Sequence, residues 1–230
     1  MKIHGLQKMT LLDFPGRVAC TVFLGGCDFR CPFCHNFELV ELSAPAVMDD
    51  GELLCFLEKR RGLLDGVAIT GGEPTLRDDL PELMARIRAL GFAVKLDTNG
   101  AHPDRLAAIL EAGLADYVAM DIKNSPEKYA ATCGLKRIDL APIRASVGLL
   151  MAGETEYELR TTVVDELHGA ADFEALGAWI AGARHYFLLA FVDRESVTFG
   201  ILHAPSAEQM RAYLDIVRPF VPDSRLRGID

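Results

Sequence analysis

Six short β-rich segments alternate with helical segments along the chain, and this alternation limits the possible folds more than any other feature of the sequence. The predicted strands cover 18–24, 66–70, 93–98, 117–123, 158–164 and 186–192. The predicted helices lie near 50–60, 78–90, 103–112, 139–151, 172–182 and 206–217. Strands that alternate with helices form parallel sheets with right-handed crossovers. The sequence therefore predicts an α/β fold, either an open barrel or a doubly wound sheet.

The size and charge of the chain limit the class of protein and the kinds of partner that it can bind. Its 230 residues, 50% of them hydrophobic, suffice for one core, and we expect a single domain over 1–230. A formal net charge of -9 argues against binding to nucleic acid or to an anionic membrane. The sequence has no apolar run long enough to span a bilayer and no signal-peptide pattern. We therefore expect a cytoplasmic protein whose six cysteines stay reduced.

A loop over 25–36, directly after the first predicted strand, contains Cys27, Cys31 and Cys34. Thiolates in a Gly-flanked loop suit zinc or an iron–sulfur cluster. A closed zinc site needs a fourth ligand, and His35 is poorly placed for that role because it directly follows Cys34. In a four-iron cluster, three thiolates leave one iron with an open coordination position. An open iron could bind a small molecule directly.

The other cysteines offer no clear fourth ligand. Cys20 lies on the apolar face of the first strand and Cys55 lies within a predicted helix, so we expect both in the core. Cys133 precedes a glycine, and its role stays open. A simple electron carrier would need a fourth cysteine ligand, which the sequence does not indicate.

Charged residues alternate with apolar ones along three predicted strands. Lys95 and Asp97 share one face of "AVKLDT", Asp121 and Lys123 share one face of "YVAMDIK", and Arg160 lies on the polar face of "ELRTTVV". Helices cover the apolar faces, so we expect the charged faces to point into the interior. Buried charges are costly unless they are paired or bound to a ligand. These residues therefore predict either a ligand site or a structural salt-bridge network.

Two further segments end neighbouring strands, where sites form in parallel sheets. "GGEP", at 71–74, is either a turn or a place where glycine lets a ligand approach the backbone. "DTNG", at 97–100, contains a strong turn signal.

The segment "CDFRCPFC" resembles the Cys-x3-Cys-x2-Cys motif of radical S-adenosylmethionine enzymes. The resemblance implies a partial (β/α)6 barrel. It also implies a single [4Fe–4S] cluster held by Cys27, Cys31 and Cys34, with S-adenosylmethionine on the open iron. Reductive cleavage of that cofactor yields a 5′-deoxyadenosyl radical in the family.

The segments "LLDFPGR", "LDTNG" and "AMDIK" are similar to those of the glycyl-radical-enzyme activating group, which includes the pyruvate formate-lyase activating enzyme. "FPGR" and the closing "LRG" resemble the activating proteins of anaerobic ribonucleoside-triphosphate reductase. This likeness implies that the radical abstracts a Cα hydrogen from a glycine of a partner enzyme, with flavodoxin or ferredoxin as electron donor. The alternative within the superfamily is a small-molecule enzyme similar to 7-carboxy-7-deazaguanine synthase, which acts on a pterin.

The resemblance also implies a set of cofactor-contacting positions. They are Phe33, His35, Gly71, Gly72, Glu73, Asp97, Thr98, Asp121, Lys123 and Arg160. In the family, residues around the last cysteine meet the adenine, and the glycine-rich segment meets the methionine amino group. The aspartates help to hold a monovalent cation, and the lysine meets the carboxylate. The sequence departs from the pattern in "LLAFVDRES", which lacks the histidine found after the last strand, and His203 lies too far downstream to replace it.

Overall fold

The computed structural model of the chain describes residues 1–40, 45–193 and 202–228, and these form an α/β fold. The strands within them are β1 Lys2–Ile3, β2 Gly5–Thr10, β3 Ala19–Leu24, β4 Met48–Asp49, β5 Gly66–Gly71, β6 Ala93–Thr98, β7 Tyr117–Asp121, β8 Glu156–Val163, β9 Tyr186–Ala190 and β10 Ser224–Arg227. Eight of them form one sheet in the order β10-β9-β8-β7-β6-β5-β3-β2, while β1 and β4 pair separately. Neighbours in the large sheet are parallel except β2, which runs antiparallel to β3.

The helices follow the strands in alternation, as the sequence predicts. Those in the described residues are α1 Asp50–Glu58, α2 Leu80–Ala89, α3 Pro103–Glu111, α4 Tyr129–Thr132, α5 Ala141–Ala152, α6 Ala170–Trp179 and α7 Ala207–Val217. Each of the six predicted strands and six predicted helices is confirmed, with ends that shift by a few residues. No strand pairing within the described residues joins β10 to β2, so the sheet is open there, as in a partial barrel. None of the helices described is long and apolar enough to cross a membrane.

The two edge strands of the large sheet are absent from the sequence prediction. β2, "GLQKMT", and β10, "SRLR", lack a continuous apolar run, because an edge strand is exposed along one side. β2 matters for function, since it pairs with β3, the strand that leads into the cysteine loop.

Apolar side chains of the parallel strands and the surrounding helices form one core. Cys20 is fully buried, as expected. The expectation for Cys55 is wrong, because its side chain is exposed. Leu53 and Leu57 form the buried face of α1, and a residue midway between them on a helix with 3.6 residues per turn points the other way.

Candidate active site

A cavity of about 620 Å³ opens at the carboxyl ends of the parallel strands. Every site residue predicted from the sequence lines it, namely Cys27, Cys31, Phe33, Cys34, His35, Gly71, Gly72, Glu73, Asp97, Thr98, Asp121, Lys123 and Arg160. These residues come from the loop after β3 and from the ends of β5 to β8. The parallel topology therefore gathers segments that are far apart in the sequence into one site.

The cysteine loop leaves β3 through a turn that only glycine adopts easily. Gly26 has a φ of 96°, in the left-handed region. The N–H of Gly26 donates to the carbonyl of Leu39 (2.7 Å), and the N–H of Cys27 donates to the carbonyl of Val40 (3.1 Å). A short 3-10 helix at Phe37–Leu39 thus closes the loop onto its own start.

Burial determines the direction of the pKa shift at both Cys27 and Cys34. The N–H of Phe29 donates to the sulfur of Cys27 at 3.4 Å. Burial raises the pKa of Cys27 to about 12, although this N–H acts in the opposite sense. Burial also raises the pKa of Cys34, although the backbone of Asn36 acts in the opposite sense. The Phe29 N–H is therefore a fixed donor that would favour the thiolate form of Cys27.

Cys31 differs because its pKa is lowered, and the main cause lies outside the loop. The neighbouring Cys133 side chain lowers the pKa of Cys31 and outweighs burial. Both residues are buried, at 7% and 0% exposure. The structure thus gives Cys133 a neighbour that the sequence did not predict.

The donor set suits a cluster of several irons. The three loop cysteines line the same cavity. Within the described ranges, no three or more His, Cys, Asp or Glu side chains converge tightly enough to hold one metal ion. In a [4Fe–4S] cluster each thiolate holds a different iron, so three cysteines around one cavity fit that group.

The interior charges converge as predicted. The Arg160 guanidinium donates from Nε to Asp121 Oδ1 (2.6 Å) and from an Nη to Asp97 Oδ2 (3.1 Å). Lys123 Nζ donates to Asp121 Oδ2 at 2.8 Å, and Lys95 Nζ donates to Asp97 Oδ1. All four carboxylate oxygens therefore have a cationic partner.

These ion pairs fix the charge state of the group. Burial alone would raise the pKa of Asp97 and Asp121, but Arg160 and the neighbouring lysines hold both below the ordinary value. Burial would lower the pKa of Lys123, but Asp121 outweighs it and the pKa is raised. Three cations, Lys95 among them, against two carboxylates leave one excess positive charge. Lys95 is buried and does not line the cavity, so the wall itself presents two cations, Lys123 and Arg160, beside the two carboxylates.

Glu73 uses its side chain to join two strand ends. Its carboxylate accepts hydrogen bonds from the N–H of Thr75 (3.0 Å), the hydroxyl of Thr98 (2.8 Å) and the N–H of Asn99 (2.6 Å). Burial raises the pKa of Glu73, although these hydrogen bonds oppose it. The carboxylate thus braces the end of β5 against the end of β6.

Gly71 and Gly72 lie directly against the cysteine loop. A Cβ on Gly71 would lie 2.1 Å from the Leu24 carbonyl oxygen, and one on Gly72 would lie 2.0 Å from the Gly26 carbonyl oxygen. The N–H of Gly72 donates to Leu24 (2.9 Å), and the N–H of Glu73 donates to Gly26 (2.7 Å). In this structure the glycines are therefore required by contact with the protein backbone.

Phe33 and His35 extend the loop to the other end of the site. Phe33 is buried with the Lys123 ammonium 6.0 Å from its ring centre. His35 stacks on Phe191 with ring centres 5.6 Å apart, and its Nε2 lies 2.7 Å from the carbonyl oxygen of Val192. The loop thus meets the chain just after β9. The segment "LLAFVDRES", where the family histidine is missing, runs beyond residue 193 and so partly outside the described residues.

Some cavity residues escaped the sequence prediction. Asp13 lines the cavity and accepts a hydrogen bond from the Thr21 hydroxyl. Asn99, interpreted only as a turn residue, donates from Nδ2 to Asp28 of the cysteine loop (2.8 Å). The sequence does carry a signal for Asp13, which is the one acidic residue of the segment "LLDFPGR".

Comparison with known proteins identifies the family to which this site belongs. Residues 21–153 match the profile of the Radical SAM superfamily. A Methanocaldococcus jannaschii protein, provisionally named a glycyl-radical enzyme activating enzyme, is 26% identical over 99% of this chain and 96% of its own length. A Listeria monocytogenes pyruvate formate-lyase-activating enzyme is 32% identical over 56% of each chain. A 7-carboxy-7-deazaguanine synthase of Methanopyrus kandleri is 35% identical over 48% of this chain and 51% of its own. The chain therefore spans about half the length of the last two.

The fold itself also occurs among solved structures. A domain of a pyruvate-formate lyase-activating enzyme from Bacteroides vulgatus superposes with a TM-score of 0.56, at 16% identity, over 71% of this chain and 99% of that domain. At this identity the likeness concerns the fold, and it agrees with the partial barrel expected from the sequence.

Proposed function

Since this chain belongs to the radical S-adenosylmethionine superfamily, we propose that it is a glycyl-radical-enzyme activating protein. When bound, the [4Fe–4S] cluster would supply the one electron that cleaves S-adenosylmethionine into methionine and a 5′-deoxyadenosyl radical, and that radical would take a Cα hydrogen from a glycine of a partner enzyme. The observation that carries the proposal is the placement of Cys27, Cys31 and Cys34 around the same cavity as the interior charges.

Different residues would bind the cluster and the different parts of the cofactor. The three cysteines would hold the cluster. Lys123, within a group that has one excess positive charge, would attract the carboxylate of the cofactor. The backbone of Gly71 and Gly72 would meet the amino group, and Phe33 and His35 would flank the adenine. Each part of the cofactor would thus meet a complementary group.

A monovalent cation beside Asp97 and Asp121 is a further part of the proposal. In the structure all four oxygens of these carboxylates accept from Arg160, Lys95 or Lys123. Each of these oxygens has a second lone pair, so a cation there would share them with these donors. Comparing S-adenosylmethionine cleavage in sodium, potassium and tetramethylammonium salts tests for it, and equal rates in all three would count against the cation.

The protein substrate is proposed to be a glycyl-radical enzyme such as anaerobic ribonucleoside-triphosphate reductase. The archaeal relative with the activating-enzyme name matches nearly the whole chain, which supports a glycyl-radical enzyme as the class of substrate. Exposed apolar side chains at Met9, Leu11 and Leu12 lie in and after β2, and Leu12 lines the cavity. Such exposed apolar groups are typical of protein-binding surfaces. Flavodoxin or ferredoxin as donor, a cytoplasmic location and a single domain over 1–230 complete the proposal.

The test mixes anaerobically reconstituted protein with S-adenosylmethionine, a reductant and candidate glycyl-radical enzymes. We expect about four irons per chain and a doublet radical signal on the partner in electron paramagnetic resonance spectra. Cys31→Ala protein serves as the control and should give neither. A preparation that binds one zinc and no iron would refute the proposal.

The second candidate is a small-molecule enzyme related to 7-carboxy-7-deazaguanine synthase, favoured by the 35% identity to the Methanopyrus kandleri protein. That match covers 48% of this chain, against 99% for the activating-enzyme relative. Turnover of a pterin substrate with no radical on any partner protein would favour this candidate.

A further inference from the structure

His168 is a buried histidine in the loop after β8, and it does not line the cavity. Its ring stacks on Phe173 of α6, with ring centres 5.9 Å apart. Phe173 in turn stacks on Tyr213 of α7, with ring centres 4.5 Å apart, and the Tyr213 hydroxyl donates to the His168 carbonyl at 3.4 Å. Two helices outside the site therefore hold this ring in place.

The two ring nitrogens of His168 face different backbone groups. Nε2 lies 2.9 Å from the carbonyl oxygen of Lys123, and the N–H of Val164 donates to Nδ1 at 3.1 Å. A carbonyl oxygen can only accept, so Nε2 has to carry a hydrogen. Nδ1 also lies 3.1 Å from the Val164 carbonyl oxygen, but this oxygen already accepts from the N–H groups of Leu167 and His168. The surroundings therefore select the neutral imidazole with its hydrogen on Nε2.

The hydrogen bond from His168 holds the chain just beyond the end of β7. The N–H of Ile122 still donates to the carbonyl of Arg160 in β8 at 2.8 Å. Side chains then replace the backbone pairing. The Thr161 hydroxyl donates to the Ile122 carbonyl at 2.6 Å, and His168 Nε2 donates to the carbonyl of Lys123. The backbone of Lys123 is thus fixed from the loop after β8, while its side chain lines the cavity.

We propose that His168 is a positioning residue, which donates from Nε2 to the Lys123 carbonyl and so holds the Lys123 ammonium group in place for the carboxylate of S-adenosylmethionine. Lys123 lies beyond the last residue of β7, so its backbone needs a support outside the strand. A side chain on a loose backbone has to be ordered when the ligand binds, and that ordering lowers affinity. The inference rests on the cofactor contact of Lys123 in the proposed function, although not on the identity of the partner enzyme.

The position of the hydrogen is tested by a measurement that does not depend on activity. Nitrogen-15 NMR spectra of the full chain with labelled histidine show which ring nitrogen carries the hydrogen. The signals of His168 are assigned by their absence in His168→Gln. We expect a neutral ring with its hydrogen on Nε2 at neutral pH. A hydrogen on Nδ1 alone, or an imidazolium, would overturn the proposal.

Two variants separate the hydrogen bond from the shape of the ring. His168→Phe keeps a ring that can stack on Phe173 but has no donor, whereas His168→Gln keeps an N–H donor. In His168→Phe the KM for S-adenosylmethionine should rise about tenfold with kcat little changed, the low end of the value of a hydrogen bond to a charged group. The dissociation constant, measured on oxidised iron-loaded protein, should rise by the same factor, and His168→Gln should stay close to wild type. The control His185→Phe, which removes a histidine just before the amino end of β9, should leave both constants unchanged.

A double variant distinguishes positioning from a purely structural role. If His168 acts through Lys123, then His168→Phe should not raise the KM further in a Lys123→Met protein. An equal increase in both backgrounds would overturn the proposal. Unchanged KM and dissociation constant in His168→Phe would overturn it too.

The proposal stays open to refutation even if His168→Phe does not fold. A loss of affinity in His168→Gln, despite its donor, would then overturn it, and so would the wrong hydrogen position in the wild-type spectrum. Wild-type protein that loads iron but does not bind S-adenosylmethionine would refute the proposed function instead, whereas failure of the inference alone leaves wild-type binding intact.

Discussion

Gly72→Ala should displace the cysteine loop from the end of β5. The new Cβ would lie 2.0 Å from the Gly26 carbonyl oxygen, 2.6 Å from its carbon and 3.2 Å from the Cβ of Cys27. The obstacle is backbone, so relief requires the loop to move by roughly 1.4 Å to reach ordinary contact. Overpacking of this kind costs about 1–3 kcal/mol of unfolding free energy. A shift of about 1 Å in a positioned group lowers reaction rates about a hundredfold.

Three measurements on one preparation test this expectation. They are iron content after reconstitution, the rate of 5′-deoxyadenosine formation from S-adenosylmethionine, and the free energy of unfolding in urea. Gly148→Ala is the matched control, because Gly148 lies inside α5 with no atom within 4 Å of a new Cβ. That control should gain up to about 1 kcal/mol in stability and keep its rate.

The reasoning fails if Gly72→Ala retains wild-type iron content and a wild-type cleavage rate. Such a result would mean that the loop moves without effect on the site, and that the contact between Gly72 and Gly26 does not position the cysteines. A loss of stability alone, with a normal rate per bound cluster, would also contradict the positional argument.

Three further outcomes are expected. Cys31→Ala should lose the cluster and all cofactor cleavage, whereas Cys20→Ala should cost some stability and keep activity; equal activity in both would contradict the ligand assignment. Arg160→Met should lower the unfolding free energy by less than the roughly 3–5 kcal/mol of a fully broken buried pair, since each interior aspartate keeps a lysine. The native ion pairs lower the pKa of these aspartates. The pairs therefore contribute fully to the free energy of unfolding above the pKa of an unfolded aspartate, about 4. This contribution is lost as the pH falls through the lower pKa of the folded protein. The stability difference, measured by urea unfolding, should therefore shrink on acidification, and a constant difference would refute the pairing. Leu11→Asp should leave cofactor cleavage intact, because Leu11 is exposed and does not line the cavity, but it should reduce radical formation on the partner. Equal radical yields would remove Leu11 from the proposed partner surface.

The sequence predicted the central sheet and the location of the site because both depend on local patterns. Alternation places Lys95 and Asp97 on the face opposite Val94 and Leu96, as the structure confirms. Alternation is a local property of a strand and does not depend on contacts with the rest of the chain. Parallel order then places all strand ends at one edge of the sheet. A site built from consecutive strand ends is therefore readable from periodicity.

Contacts between segments that are distant in the sequence cannot be predicted from local patterns. The contact of Cys133 with Arg30 depends on how α4 packs after β7, and no local pattern encodes that packing. The brace formed by Glu73 depends on the exact register of β5 and β6. Cys55 was misjudged because burial on an amphipathic helix depends on which face meets the sheet.

Several of the long-range contacts that the sequence did not reveal share one target, the cysteine loop. Gly72 packs on its start, Cys133 on its middle and His35 ties its end to Val192, while the loop closes on itself through Leu39. A loop held at several points by separate elements loses its conformational entropy when the protein folds. Binding of the cluster then involves no further loss of loop entropy. Substitutions that loosen these anchors should therefore weaken iron retention more than substitutions of equal cost to stability in the outer helices. Substitutions that weaken iron retention are thus expected at the end of β5, after α4 and in the chain after β9.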